Sequence, residues 1–407
     1  MRVTTAFNRI LSLPGATVVS VSFERSGIVV GIRSRARRLT CPCGATTRAR
    51  YDTSTRRWRH LDMAAAKVFL ESDIARVDCR ACGRVRTQVV PWARAGARFT
   101  RDFEDMSAWL AQRTDLTTVS RLMRCSWQSV HDIAGRVVAE HIDSSRLDGL
   151  YRIGVDEISY RRGHQYLTVV ADHDGKGVVW VAKGKRGAAL EAFFDALGPE
   201  RADKLKAVSM DFGTVYRDAT RRKAPRAVIC FDPFHAIQLA NRALDSVYKA
   251  HGRELSRSGV GDADWRRTRF ALRAGAERLN EGQLALLARL RQQSNRLWRA
   301  WELKEGLRDL YRRVPPEFSR PYLRAWLSSA SHSRIAAMVQ LARTIRRNFD
   351  GIVAAVELGL SNALLEGVNA GIRLIQRRGY GFRNTDSLAA MVYLCLGGLT
   401  IRLPTET

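Results

Sequence analysis

The order in which strand-like and helix-like segments follow one another after residue 150 restricts this chain more than any other feature. "YRIGVDE" and "QYLTVVAD" read as strands, the turn residues Asp174-Gly175-Lys176-Gly177 follow, and "VVWVAK" alternates as a third strand. A helical pattern, "GAALEAFFDALG", then ends at Gly198-Pro199. After a second short helical piece, "LKAVSMDFGTVY" supplies a buried strand ending in Asp211. A helix, the strand "RAVICFD" and the helix "PFHAIQLANRAL" complete the series.

Three meandering strands followed by strand–helix alternation is the order of an α/β sheet of the ribonuclease H-like type. Asp156 is expected at the end of the first strand and Asp211 at the end of the fourth, and such a sheet makes these two ends neighbours. Glu157 falls on the opposite face if the strand continues. Converging carboxylates repel one another unless cations lie between them, and a pair of Mg²⁺ ions is the usual solution in phosphodiester chemistry. A third acid is then expected on a later helix. "LSNALLEGVNAGIRLIQRRGYGFRN" supplies it, with Leu365, Val368, Ile372 and Ile375 on an apolar stripe and Glu366, Asn369, Arg373 and Arg377 on the opposite one. Read alone, Glu366 would be a solvated helix acid. On a face shared with Arg373 and Arg377, cations suited to a DNA backbone, it is the expected third magnesium ligand.

Charge points the same way. The chain of 407 residues holds 68 Lys and Arg against 40 Asp and Glu, a net charge of +28, and is 45% hydrophobic, enough for two or three domains with cores of their own. Such a charge suits a densely anionic partner, because each cation that neutralises a phosphate releases a condensed counterion. DNA is the natural reading. No apolar run of membrane-spanning length and no signal-peptide pattern occurs, so a cytoplasmic location is expected, without membrane association.

Seven cysteines are too few for a disulfide framework in a chain of this size, but four of them cluster: Cys41 and Cys43 in "CPCG", Cys79 and Cys82 in "CRACG". Two close pairs separated by a strand-rich stretch match a zinc ribbon, in which each pair sits on a turn and four thiolates complete a tetrahedral shell around structural Zn²⁺. The first pair is CxC where CxxC is usual. His60 is a possible substitute ligand, although "RWRHLDM" reads better as a strand. Arg33, Arg35, Arg37, Arg38, Arg48, Arg50, Arg56, Arg57 and Arg59 flank the ribbon and suggest a phosphate-gripping surface, with a merely solvated face as the alternative. From Phe103 to Ile142 the pattern is helical, with a short helix, a turn at Arg124-Cys125 and a longer helix capped by Ser126. That is the arithmetic of a helix-turn-helix. Val130, Ile133 and Val137 would face inward, and Trp127, Gln128 and His131 would lie toward the base-facing end of the second helix.

The ordered set "CPCG", "CRACG", helix-turn-helix, "IGVDEIS", "VSMDFGTVYRDA", "CFDPFH" and "SNALLEGVNAGIRLIQRRGYGFRN" resembles the ISL-three insertion-sequence family of bacterial DDE transposases, from about residue 38 to 400. The resemblance implies Asp156, Asp211 and Glu366 as the catalytic triad and a zinc ribbon with helix-turn-helix as the end-binding region. It also implies a supportive role for Asp232 and His235 of "DPFH", which could coordinate or order the site or simply cap the next helix. The expected organisation is a strand-rich lead-in (1–38), a zinc ribbon (39–92), a helix-turn-helix (100–145), and a ribonuclease H-like core in two parts (150–247 and 359–403) split by a helical insertion (248–358). Trp265, Trp298, Trp301 and Trp326 in that insertion read as core. The expected activity is Mg²⁺-dependent cleavage and strand transfer at the inverted repeats of an insertion sequence, and pairing of two DNA ends implies a homodimer or higher assembly. Two rivals stay open on the residues alone: a DNA-binding regulator whose C-terminal half serves only assembly, and a structure-specific nuclease on the same fold. No GxxxxGK[ST], HExxH or GxSxG pattern points to other chemistry.

Overall fold

The structure, a computed structural model, describes residues 1–161, 163, 165–257, 263–382 and 384–406. Residues 258–262 of the expected helical insertion and Arg383 of the C-terminal motif lie outside the described residues. The chain forms two compact units, Met1–Asp143 with Ile372–Thr407, and Ser144–Gly371.

In the first unit, helix α1 (Val3–Leu11) leads into strands β1 (Ala16–Glu24) and β2 (Gly27–Ser34), followed by the two-residue strands β3 (Leu39–Thr40) and β4 (Thr46–Thr47). The long hairpin β5 (Arg50–Met63) and β6 (Ala66–Cys79) and the short β7 (Arg84–Thr87) come next. The sheet order is β1-β2-β6-β5, with β7 also on β6, and β2 runs parallel to β6. The lead-in expected over 1–38 is therefore not separate: its strands share one sheet with the hairpin between the cysteine pairs. Alternating residues of those strands, Val30, Val68 and Leu70, pack with Trp58 and Trp92 in one core.

Helices α2 (Arg101–Arg113), α3 (Leu116–Leu122) and α4 (Trp127–His141) follow. Each begins at a side-chain cap: Thr100 accepts from the Phe103 N–H, Asp115 from Thr118 and Ser126 from Ser129. Arg124, with φ 50°, makes the sharp break between α3 and α4. Val130, Ile133 and Val137 face inward at 1% exposure or less. Glu104, fully buried, accepts from Arg94 and Arg136 and from no apolar neighbour could gain the same compensation.

The second unit is built on a sheet in the order β10-β9-β8-β11-β12, made of β8 (Arg152–Arg161), β9 (Gln165–Asp172), β10 (Val178–Lys183), β11 (Ala207–Met210) and β12 (Val228–Phe231). The first three strands meander antiparallel, and β11 is parallel to both β8 and β12. Helices α5 (Gly187–Leu197), α6 (Pro199–Ala202) and α7 (Thr214–Lys223) belong to the crossovers. One expectation is corrected: β8 does not end at Asp156. Its pairing with β9 continues to Arg161↔Gln165, whereas the pairing with β11 runs from Ala207↔Arg152 to Ser209↔Gly154.

Helix α8 (Pro233–Arg257) passes without a break from the sheet into the helical segment, so no boundary falls at 248. Helices α9 (Ala263–Arg273), α10 (Glu281–Gln293), α11 (Asn295–Arg312), α12 (Ser319–Ser331), α13 (Ala336–Arg347) and α14 (Phe349–Glu357) follow. The tryptophans here serve packing: Trp265 stacks on Tyr248 at 4.0 Å, and buried Trp326 donates to the Leu303 carbonyl at 2.8 Å. Helix α15 (Ala363–Arg378) contains the division between the units, and α16 (Thr385–Leu396) packs on α2 and α4. The segment 359–403, expected wholly in the core, is thus divided. Among the described residues no helix is long and apolar enough to cross a membrane.

Candidate active site and metal cluster

The register of the parallel strands brings three aspartates into line. Continued two places past Ser209↔Gly154, it sets Asp211 beside Asp156. Continued one place past Met210↔Phe231, it sets Asp232 beside Asp211. Same-row residues of parallel strands point to one face and sit about 4.8 Å apart along the row. Glu157 takes the other face, where it accepts from the Tyr216 hydroxyl at 3.1 Å.

Electrostatics mark the row as strained in charge. Burial first, and then the neighbouring charge of Asp211, pushes the Asp156 carboxyl up to about 6. His235 Nδ1 lies 2.9 Å from Asp211 Oδ1 and 3.8 Å from Asp232 Oδ2, and these carboxylates raise the imidazole to about 10. Its positive charge offsets part of the crowding. Ligand atoms of Asp211, Asp232 and His235 all lie within 4.8 Å of one another, and neither Asp156 nor Glu366 belongs to that group. Among the described residues, no group of ligand atoms within that reach holds Asp156, Asp211 and Glu366 together.

Helix α15 is fastened to the row at two levels. Asn362, just ahead of the helix, donates its backbone N–H to Asp232 Oδ1 at 3.1 Å and accepts from Ser209 Oγ at 2.6 Å. One side-chain level further on, Asn369 Nδ2 donates to Asp156 Oδ2 at 2.7 Å. Gly154 permits the close approach, since a Cβ there would stand 2.7 Å from Leu365 Cδ1 and 3.1 Å from Ser209 Oγ. Leu365, Val368, Ile372 and Ile375 form the buried stripe, as their spacing predicts. Glu366 is exposed, one turn before Asn369 on the same helix face, and Arg373 and Arg377 continue that face, also exposed. Asp232 is only 4% exposed and acts on the α15 entry, which the expected cap of the following helix does not describe. Sequence reasoning missed Ser209, Asn362 and the Asn369 bond. Asn369 stood on the polar stripe, but nothing in the chain announces which residue a buried amide meets.

The cysteines form the second cluster. Sγ atoms of Cys41 and Cys82 are 3.9 Å apart and those of Cys43 and Cys79 3.6 Å, and all four thiols lie within 4.8 Å. A tetrahedron with Zn–S near 2.3 Å has sulfurs about 3.8 Å apart, so the four residues fit zinc. Gly44 and Gly83, with φ 89° and 64°, turn the chain after each pair and return their N–H groups to the Cys41 and Cys79 carbonyls. The Cys82 backbone N–H is the main cause that draws the Cys79 thiol down to about 7, toward the thiolate a metal needs. The short CxC knuckle therefore places both of its thiols. His60 is no substitute ligand: it is buried, and its Nδ1 meets Thr100 Oγ1 at 2.9 Å.

The reading surface departs from expectation at two residues. Gln128 is exposed and bonded only to Asp132 at 3.0 Å, and Trp127 is half-buried. His131, by contrast, is 6% exposed and packed edge-on against Trp127 and Phe382, because its ring completes the core over α4. It does not project toward a groove. Arg59 likewise is 8% exposed, with its guanidinium on Asp62 and over the Phe69 and Phe103 rings, so it is not a phosphate contact. Arg57 is held by Glu71 and Glu24. Arg33, Arg35, Arg37, Arg48, Arg50 and Arg56 remain exposed around the cysteine cluster.

Comparison with known proteins agrees with this layout. Residues 153–392 match a transposase family profile of the ISL3 type, residues 88–138 a profile for the helix-turn-helix domain of transposase family ISL3, and residues 37–82 one for the zinc-finger of transposases IS204/IS1001/IS1096/IS1165. The chain is 37% identical over 439 residues to the transposase for insertion sequence element IS1557 of Mycobacterium tuberculosis (strain H37Rv), covering 99% of this chain and 98% of the relative. It is 27% identical over 345 residues to the transposase for insertion sequence element IS1001 of Bordetella parapertussis, covering 84% and 85%.

Proposed function

The chain belongs to the ISL3 family of transposases, and from that membership we propose that it binds the terminal inverted repeats of an insertion sequence and there cleaves and rejoins DNA with Asp156, Asp211 and Glu366 as its catalytic acids. The observation that carries this reading is the register row of aspartates, Asp156 within β8 and Asp211 and Asp232 just past the ends of β11 and β12, with the Glu366 helix tied to it through Asn369 and Asp156. The strand order, three antiparallel and two parallel with β8 central, supports a ribonuclease H-like core.

The donors are carboxylate oxygens, the hard ligands that Mg²⁺ takes. Two such ions, when bound, supply activation of an attacking water or 3′-hydroxyl and stabilisation of the leaving oxygen. Asp156 stands within β8 and Asp211 directly after β11, so a packed sheet sets the position of both backbones. Glu366 is exposed on the helix that the Asn369–Asp156 hydrogen bond ties to the row. Attack of water on a terminal phosphodiester breaks the P–O3′ bond and leaves a 5′-phosphate and a 3′-hydroxyl; attack of that hydroxyl on a target phosphodiester forms a new P–O bond while the target's own P–O3′ bond breaks and its 3′-oxygen leaves with the proton given up by the attacking hydroxyl. Arg373 and Arg377 suit the DNA backbone, Gln128 and Trp127 the end sequence, and the exposed arginines around the cysteine cluster the flanking phosphates. Pairing of two ends calls for a homodimer or higher assembly, and chromosomal DNA as the target sets the work in the cytoplasm.

Incubating purified protein with labelled duplexes that carry the element ends, with Mg²⁺ and with EDTA, tests the reading. Metal-dependent cleavage at the end followed by covalent joining to a second duplex is the expected result. Cleavage without joining would leave a nuclease, and binding without either would leave a regulator.

A further inference from the structure

Asn369 is 9% exposed, and its Nδ2 donates to Asp156 Oδ2 at 2.7 Å. An ionised carboxylate only accepts, so the amide must present its nitrogen to Asp156 and turn its oxygen elsewhere. That oxygen, Asn369 Oδ1, is buried and has no hydrogen-bond partner. Buried polar atoms in folded proteins are almost always satisfied, and an orphan beside charged side chains points to a ligand or a bound water. The setting narrows the choice. The amide sits on the same face as Glu366, one turn on, and against a carboxyl already crowded by Asp211. A negative group would be repelled there, and an apolar one would leave the oxygen unpaired. A hydrated divalent cation satisfies both conditions, since its waters are strong donors and its charge relieves the carboxylates.

We infer that Asn369 is a positioning residue of the metal centre: its amide N–H fixes the orientation of Asp156, and its carbonyl oxygen accepts a hydrogen bond from a water in the hydration shell of the divalent ion that Asp156 binds. This rests on the assignment of Asp156 as a metal ligand. Outer-shell partners of this kind orient the ligands themselves, and their removal costs metal affinity even though they never touch the ion.

The test is Mn²⁺ titration of the full-length, zinc-loaded chain, with free ion read by electron paramagnetic resonance and Asp156→Asn as the reference. Asn369→Leu, which keeps the branched outline and removes both polar atoms, and Asn369→Ala should each weaken Mn²⁺ binding by about 10- to 100-fold. Zinc content and end-DNA binding should stay as in the unsubstituted chain. Unchanged Mn²⁺ affinity in folded Asn369→Leu overturns the inference. So does a loss with alanine beside unchanged affinity in a folded leucine chain, which would mark Asn369 as filling space; should the leucine chain not fold, Asn369→Ala decides alone, a loss of that size supporting the inference and unchanged affinity overturning it. If Asp156→Asn also binds Mn²⁺ at full strength, the failure lies in the assignment of the acids, and the inference falls with it.

Discussion

Four cysteines from two turns stand with all their thiols within 4.8 Å, whereas in the second unit Asp211 and Asp232 form such a group with His235, and it includes neither Asp156 nor Glu366. The difference lies in what each cluster needs from its surroundings. A knuckle is a few residues of backbone: Gly44 and Gly83 turn the chain and their N–H groups close the loop, so the thiols are aimed before any metal arrives. Thiols are also neutral until they lose a proton, and neutral groups can crowd. The acids come from two strand ends, a strand interior and a helix, and it is strand register that brings the aspartates into line. The cysteine cluster is assembled by local backbone; the acid row is assembled by tertiary packing.

Removing charge from the acid row gives the largest expected effect. Asp156→Asn, Asp211→Asn and Glu366→Gln should each reduce cleavage and strand transfer to background while end binding, measured by gel shift, stays within about twofold. Glu157→Gln keeps an acceptor for Tyr216 and should retain activity. A Glu366→Gln chain that cleaves normally would remove that helix from the centre and leave the comparison without its second member.

Next in size is loss of a thiolate. Cys79→Ser or Cys82→Ser should lower zinc from about one ion per chain and weaken end binding at least tenfold, with the circular-dichroism signal of the helices preserved. Equal zinc content before and after substitution would show that the four thiols do not act as one site.

Packing between sheet and helix is probed by Gly154→Ala. The added methyl meets Leu365 and Ser209 at short range, so the change should destabilise by about 1–3 kcal/mol and depress cleavage more than end binding. A drop in both alike would mean that α15 does not answer to this contact.

On the reading helix the two polar side chains should separate. Gln128→Ala should relax end-sequence preference by about 1–3 kcal/mol without loss of stability. His131→Ala should instead lower the melting temperature and leave sequence preference unchanged, since the ring is buried between Trp127 and Phe382. A specificity change with His131→Ala would restore it to the reading surface.

The smallest effect concerns pH. Asp156 has a folded pKa raised to about 6 against an ordinary value of 3.8, so the folded state holds the proton more tightly. Its contribution is then fully present below the ordinary pKa and is lost as pH rises through about 6. Asp156→Asn should flatten that fall and make the metal-depleted chain more heat-stable at pH 7 and above. Identical melting curves from pH 4 to 8 in both chains would show that burial and Asp211 do not strain this carboxyl.

How far the sequence could be read follows the same physical division. The strand order, the apolar stripe of Leu365, Val368, Ile372 and Ile375, the cap at Ser126 and the two knuckles depend on neighbours within a few residues, and the chain displays such neighbours directly. By itself it also determined that Asp156 and Asp211 would share a sheet, since the order of strands left few ways to pair them. Only the tertiary structure decided that Asp232 would fasten the entry of the Glu366 helix, that Asn369 would meet Asp156, that His131 and Arg59 would turn inward, and that residues after Ile372 would pack with the helix-turn-helix. A hydrogen bond between residues more than a hundred positions apart leaves no periodicity in the chain. Whether a polar side chain is buried or exposed depends on which surface arrives to cover it, and that is settled only when the whole molecule has packed.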